Sequence, residues 1–541
     1  MTQKVNSHIG KNLLDMLMFS MYPDAKIIYR EYIQNSYDAI NAAVEKNILD
    51  YPKDGNVTIK IDKNARRITI HDNGTGIPVD DALTVLTSIA DSQKDGETQA
   101  GVYGIGRLVG AGYCNKLEFR TSAKGEDSAT VLSFDVKKTR QILDNGFDRR
   151  SATEVMDSII SWDLIPENKD DHYFEVILHN VKEEYPILLS EDDIIEYLKE
   201  IAPVDYEMPF KNNIMYQSID EGCIYYDLQK SLGYITISVN DHTDIRKRYG
   251  NKVVGTGDEI VGLQYFTLDD EFYGQLAWGW FAITKFTKAI PTSDPNRGIR
   301  LRKHNIQVGE ANYLNQYFDE ARGNNYFYGE IHVCHKNLRP STARDGLTPT
   351  IEASIFFHKL KDYFKNLKNL YHLANKTKIA VKNIVQATDR INQDDISYKE
   401  RQEAEKVLDK SKKDLESTSK SSTRKATTNG DVFTKVVEIY TTQLKTDLVR
   451  ETNQNSYNSS QNDSTIQRTD SSNNSTKDTA GNDVKNQFQL QDILEPITAY
   501  YSKDQILIIR KIFKSLSDNC PKSQLTLIEE LKKKIIEELT K

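Results

Sequence analysis

The chain has 541 residues, 28% of them charged, and a net charge of −8; it is too long for one domain, and the mixing of both signs leaves no chain-wide positive field for nucleic acid, only room for a local basic patch. Its four cysteines, Cys114, Cys223, Cys334 and Cys520, lie far apart with no CxxC or Cys/His cluster, which argues against zinc and against a disulfide framework and for a reducing cytosol.

The opening stretch MTQKVNSHIGKNLLDMLMFSMY holds an apolar run that Lys11 and Asp15 interrupt, with no small-residue cleavage site after it. It is not expected to be a signal peptide, and no segment has the length of a membrane-spanning helix, so the expected location is cytoplasmic. Residues 1–212 alternate helical and strand patterns: Leu13, Leu14, Leu17 and Met18 on a helix, then Val57, Ile59 and Ile61, then Ile68 and Ile70. Residues 213–375 continue as a second α/β domain with the strand-like GYITISVN, LAWGWFAITKF and YFYGEIHVC. Residues 376–418 are charged, glycine-poor and loosely periodic, which predicts a helical arm or a plain surface helix. From 419 to 487 the composition collapses to Ser, Thr, Asn, Asp and Lys, and this is expected to be a mostly disordered linker, interrupted by the amphipathic DVFTKVVEIYTTQL. Residues 488–541 read as two amphipathic helices around Asn519-Cys520-Pro521 that bury little alone and are expected to pair with a partner or a second copy.

Three stretches carry chemistry. In IIYREYIQNSYDAINAA, residues 27–43, Glu31, Asn35 and Asp38 stand at i, i+4 and i+7, within an arc of roughly 60° on a helix, while Ile28, Ile33, Ala39 and Ile40 form an apolar face. A carboxylate and an amide on one side suit a water to be oriented and a hard cation held through oxygen; taken alone the stripe suits a solvated face better. RITIHDNGTGIPVDD reads as a strand ending in Asp72 with Gly74 and Gly76 directly after it. A carboxylate there can accept from an exocyclic amine and the glycines let backbone approach a flat ligand, although DxGxG also makes ordinary turns. In GVYGIGRLVGAGYCNKLEFRTS, Gly101, Gly104 and Gly106 precede a helical stretch, so backbone N–H groups can cradle phosphate. The spelling is neither the G-x-G-x-x-G of dinucleotide-binding folds nor a P-loop.

In this order the three stretches resemble the superfamily of gyrase, heat-shock chaperone, histidine kinase and MutL ATPases (GHKL), and within it the ninety-kilodalton heat-shock chaperones, across about residues 5–375 and most strongly to 122. The resemblance implies a Bergerat-type α/β sandwich that binds ATP and Mg2+, then an α/β middle domain, ahead of the helical, partly disordered C-terminal region read from composition. It makes Glu31 the general base, Asn35 the magnesium ligand and Asp38 a support of that face. Asp72 would accept from the adenine amino group, with Gly74, Gly76 and Ile77 shaping the base pocket. Ser92 falls at a pocket position ahead of the lid, and Gly101, Tyr103, Gly104, Ile105, Gly106 and Arg107 would wrap the phosphates. NRGIRLRKHNIQVG and YFYGEIHVCHKNLRPSTARDGL are similar to the middle domain, where Arg344 takes the place of a catalytic-loop arginine; Arg300, Arg302 and Arg339 are lesser candidates.

The chain departs from that family where a Gly-Thr pair helps bind adenine: it has Tyr173 and Phe174. Its lid between Ser92 and Gly101 is short, and no counterpart of the chaperone dimerisation domain follows residue 375. The expected activity is a Mg-dependent ATPase acting as a conformational clamp, with a homodimer and an unidentified client. A MutL- or MORC-like clamp on nucleic acid is the alternative, favoured by the basic NRGIRLRKHN and opposed by the acidic charge. A non-catalytic nucleotide sensor fits less well because Glu31 and Arg344 are both present, and a histidine kinase least, for want of a phosphoacceptor helix.

Overall fold

The computed structural model describes residues 9–20, 24–88, 106–219, 223–341, 344–393, 395–424, 432 and 434–442, with isolated positions beyond. The chain divides into two compact units, residues 1–454 and 455–541, and every element below lies in the first.

After a short helix α1 (Asn12–Asp15), the long helix α2 (Ile27–Glu45) leads into a hairpin of β1 (Asn56–Asp62) and β2 (Arg67–Asp72). Helix α3 (Val79–Thr87), β3 (Lys116–Ser122), β4 (Ser128–Asp135), helices α4 (Val136–Asp144) and α5 (Ala152–Ile159), β5 (Ile160–Pro166), β6 (Tyr173–His179) and α6 (Glu191–Ile201) follow. One more strand, β7 (Thr236–Val239), completes a seven-stranded sheet of order β5-β4-β3-β6-β2-β1-β7. Period-two patterning builds it: Val57, Ile59 and Ile61 turn inward while Lys60 faces solvent. Ile28, Ile33 and Ile40 of α2 pack in one core with Val57, Ile59, Ile68, Ile70, Leu117 and Phe119, each such side chain contributing about 1.5–3 kcal/mol. The α/β sandwich expected for the first domain is therefore present. Its boundary lies beyond the expected residue 212, because β7 runs parallel to β1, Asn56 opposite Thr236, and the sheet edge is paired only by chain that patterning had assigned to the next domain.

Between α6 and β7 the chain forms the single turn α7 (Met208–Phe210) and the helix α8 (Ile224–Lys230). The second sheet has the order β11-β10-β12-β9-β8, from β8 (Gly262–Asp270), β9 (Gly274–Ile283), β10 (Gly298–Lys303), β11 (Ile306–Val308) and β12 (Tyr328–Val333). One face packs Phe281, Ile299 and Ile331 against Phe356, Leu360 and Phe364 of α9 (Ile351–Ile391). The other holds an aromatic cluster of Tyr206, Phe210, Tyr249, Trp278, Trp280 and Tyr328.

The Thr350 hydroxyl accepts from Ala353 N–H and starts α9, which then runs 41 residues. The expected boundary at 375 therefore falls inside one continuous helix, because its buried stripe continues through Val381 and Ile384. Helix α10 (Tyr398–Arg424) completes a helical pair and extends past 418. Within the expected linker, 434–442 is helical, and Val432, Val436 and Tyr440 are buried in the same core as α9. The other residues from 425 to 487, and nearly all of 488–541, lie outside the described residues. No described helix is long and apolar enough to cross a membrane.

Candidate functional site

The polar stripe of α2 is enclosed. Glu31 is 8% exposed and Asp38 5%, and Asn35 is half-buried between them, so a solvated face does not describe it. On the opposite side Ser36 stands among Tyr29, Ile33 and Ile40, all buried. A hydroxyl inside an apolar face must find a partner, and its Oγ donates to the Asp72 carboxylate at 2.7 Å. Ser36 was absent from the sequence reading; a lone serine on the sheet-facing side of an amphipathic helix was the available signal.

Asp72, 2% exposed at the end of β2, accepts from Ser36 and from Gly74 N–H at 3.0 Å. Burial raises its pKa above the ordinary carboxylate value, and these two bonds pull the other way. The loop after it is tight. Gly76 has φ +62°, and a Cβ there would lie 1.8 Å from Ser122 O; one at Gly74 would lie 2.6 Å from Ala39 Cβ. Ile77 N–H donates to Thr121 Oγ1 at 2.8 Å, Thr121 donates to Tyr173 O at 3.0 Å, and His172 Nδ1 donates to Gly74 O at 2.7 Å. Thr121 and His172 thus set the loop, and sequence reasoning named neither. Phe174 lies opposite Asp72 in the ladder and stacks on Phe119, while the Tyr173 hydroxyl goes to Glu167. The hydroxyl beside the loop comes from β3, not from β6.

Of the glycine stretch, Gly106 and Arg107 are described. A Cβ on Gly106 would lie 2.1 Å from Glu31 Oε2, so glycine backbone rests on that carboxylate. The Arg107 guanidinium donates to Val85 O and Ser88 O at the end of α3, which ties the base of this loop to that helix. Ser92, Gly101, Tyr103, Gly104 and Ile105 lie outside the described residues.

Arg344 reaches α2 from the loop after β12. Its Nε donates to Glu31 Oε1 at 2.8 Å, and Arg344 is 7% exposed. Its φ of +55° is left-handed, a strained choice for a side chain of this size; Gly309 N–H donates to its carbonyl at 2.9 Å. The other arginines are committed elsewhere. Arg300 pairs with Glu200 at 3.0 Å and Arg302 with Glu330 at 2.7 Å, both buried, and Arg339 donates to Lys336 O. Lys303 is buried too, donating to His335 O. The basic stretch NRGIRLRKHN is therefore largely internal.

Among the described residues no three His, Cys, Asp or Glu converge on a possible metal position. The oxygen-bearing side chains on α2, Glu31, Asn35 and Asp38, are of the kind a magnesium ion takes beside phosphate oxygens.

Residues 26–161 match the family described as Histidine kinase-, DNA gyrase B-, and HSP90-like ATPase. Chaperone protein HtpG of Bacillus velezensis is 34% identical over 138 residues, 23% of this chain and 22% of that protein. HtpG of Francisella tularensis subsp. novicida is 28% identical over 200 residues, 32% of this chain and 28% of the relative. HtpG of Burkholderia lata is 34% identical over 143 residues, again 23% and 22%. The match spans well under a third of the length of each of these relatives. The segment that carries α2, Asp72 and the glycine loop thus belongs to the histidine kinase-, DNA gyrase B- and HSP90-like ATPase family, with HtpG chaperones among its relatives.

Proposed function

We propose that the chain is a Mg-dependent ATPase working as a heat-shock-type conformational clamp, in which nucleotide drives closure of the first domain on the middle domain. The observation that carries this reading is the buried 2.8 Å pair between Glu31 of α2 and Arg344 of the middle segment. Asp72 accepts from the adenine amino group, with Gly74, Gly76 and Ile77 against the ring and the 101–107 stretch about the phosphates, Ser92 lying ahead of it. Asn35 holds the magnesium ion, which supplies charge neutralisation when bound, and Asp38 supports that face.

Glu31 serves as general base for the attacking water, and its carboxylate must first be released from Arg344. The terminal phosphate offers the guanidinium a more highly charged acceptor that can likewise take two of its N–H groups. Transfer of Arg344 to that phosphate frees Glu31 and stabilises the charge developing in the transition state. Because this exchange involves two domains, closure is expected to limit turnover. The cytoplasmic location, the homodimer and a protein client belong to the same proposal. The nucleic-acid reading loses the basic stretch that favoured it, since Arg300, Arg302 and Lys303 are buried.

The test is a magnesium-dependent ATPase assay of wild type, Glu31→Ala and Asp72→Asn, with a mass measurement with and without a non-hydrolysable ATP analogue. Hydrolysis by Glu31→Ala at the wild-type rate overturns the mechanism. Absence of nucleotide binding overturns the whole reading; binding without dimerisation overturns the clamp alone.

A further inference from the structure

We propose that Gln307 is a positioning residue for this reaction: its amide ties Glu200 of α6 to the turn at Gly309 and thereby fixes where the loop that bears Arg344 stands against α2. The assignment rests on the roles proposed above for Glu31 and Arg344.

Gln307 lies on β11, the edge strand of the second sheet, directly opposite Arg302 of β10. Residues opposite each other in a ladder share a face, as do residues two apart on a strand, so Gln307, Arg302 and Arg300 face the same way. All three are buried, and all three reach one residue in the last turn of α6. Arg300 donates to Glu200 Oε1 at 3.0 Å, Gln307 Nε2 to the same oxygen at 3.3 Å, and Arg302 to Glu200 O at 2.9 Å. Helix α6 is seated on α2 in turn. Ile194 and Leu198 share the core of Ile28 and Ile33, and the Arg30 guanidinium lies over the Tyr197 ring at 5.8 Å. The edge of the second sheet is thus fastened to the helix pair that carries Glu31.

Gln307 differs from the two arginines in what its other N–H reaches. Its Nε2 also donates to Gly309 O at 3.2 Å, and Gly309 N–H donates to Arg344 O at 2.9 Å. Gly309 and Arg344 are both left-handed, with φ +74° and +55°, a backbone form that an arginine keeps only where its surroundings hold it. Both groups that the amide meets are oxygens with no proton to give, so its two N–H donors are what the place requires; its Oε1 is buried with no partner among the described residues. A leucine would fill the same space and satisfy neither oxygen. The contacts close a ring: α2 to α6, Glu200 to Gln307, Gly309 to Arg344, and Arg344 Nε back to Glu31 on α2 at 2.8 Å. Loss of the Gln307 amide therefore frees the Arg344 backbone, and the guanidinium drifts from Glu31 and the reacting phosphate.

The experiment measures steady-state kinetics with Mg-ATP and melting temperature on the full chain for wild type, Gln307→Leu, Glu200→Ala, Arg344→Ala, the double variant Gln307→Leu/Arg344→Ala, Glu31→Ala and Val436→Ala. Gln307→Leu should lower kcat about ten- to a hundredfold, as misplacement by about an ångström does, with KM for ATP within about twofold, and Glu200→Ala should do the same. The double variant should be no slower than Arg344→Ala, because Gln307 acts through that arginine. Val436→Ala weakens the fold away from the site and gauges how far kcat falls from lost stability alone. A kcat for Gln307→Leu as high as that of Val436→Ala, a change confined to KM, or multiplying losses in the double variant overturns the assignment. If Gln307→Leu does not fold, Glu200→Ala decides: a lowered kcat with KM unchanged upholds it, and a kcat as high as that of Val436→Ala overturns it. An inactive wild type, or full activity in Glu31→Ala, removes the underlying site and Gln307 with it; inactive Glu31→Ala and Arg344→Ala beside an unaffected Gln307→Leu overturn the glutamine alone.

Discussion

Asp72 is a carboxylate kept where carboxylates are costly. Its pKa in the folded chain lies above the ordinary value because burial outweighs the bonds from Ser36 and Gly74. The folded state then holds the Asp72 proton more tightly than the unfolded chain, so this residue's contribution to stability is most favourable below the ordinary carboxylate pKa and declines as pH rises through the raised folded value. At neutral pH Asp72→Asn is accordingly expected to raise the melting temperature while weakening ATP binding by about tenfold or more, the range for losing a hydrogen bond to a charged acceptor. Calorimetric titration and a thermal scan on the same sample check both halves. Gly76→Ala should shift stability the other way: a left-handed alanine costs about 1–2 kcal/mol, and relieving its overlap with Ser122 O about 1–3 kcal/mol more. Its melting temperature should fall, and binding with it.

The elements around the site are held by packing remote from it. Tyr440 donates its hydroxyl to Lys285 O, and Val432 and Val436 bury in the core beneath α9, so a helical piece of the polar region past α10 works as a brace for the second sheet. Val436→Ala is expected to destabilise the chain by about 1–3 kcal/mol, the worth of a buried valine, and to speed hydrogen exchange along α9. Turnover per folded molecule should stay within about twofold of wild type, because Arg344 is positioned from Gly309 and not from this brace; loss of turnover in folded protein would show that α9 reports to the site.

Across the molecule, the Glu31–Arg344 pair joins α2 to the segment that follows the second sheet. Removing one member of a buried ion pair typically costs about 3–5 kcal/mol, because the other is left charged and unpaired, whereas replacing both is much less harmful. Glu31→Gln and Arg344→Met should therefore each lower the melting temperature, and the double variant should melt above either one. Additive losses would mean that the pair is not formed in solution. Arg344→Ala should also reduce kcat by roughly a hundredfold or more, the usual loss of a charge-stabilising donor.

Much of this architecture could be read along the chain. Alternating Val57, Ile59 and Ile61, the stripe Glu31, Asn35 and Asp38, and the Asp72 turn with Gly74 and Gly76 are local patterns, set by strand and helix periodicity, and such patterns survive without knowledge of neighbours. The α/β class followed from them, and the order of the three motifs carried the resemblance to the ATPase family. What lay beyond reach were pairings between distant residues, because no periodicity records which side chain will face which across a fold. Ser36 on Asp72 and Thr121 beneath Ile77 are of this kind. So is the strand β7, edge partner of β1 at a separation no local pattern encodes. The arginines make the same point: Arg300, Arg302, Arg339 and Arg344 look alike as letters, and burial sent two to Glu200 and Glu330 and brought one to Glu31.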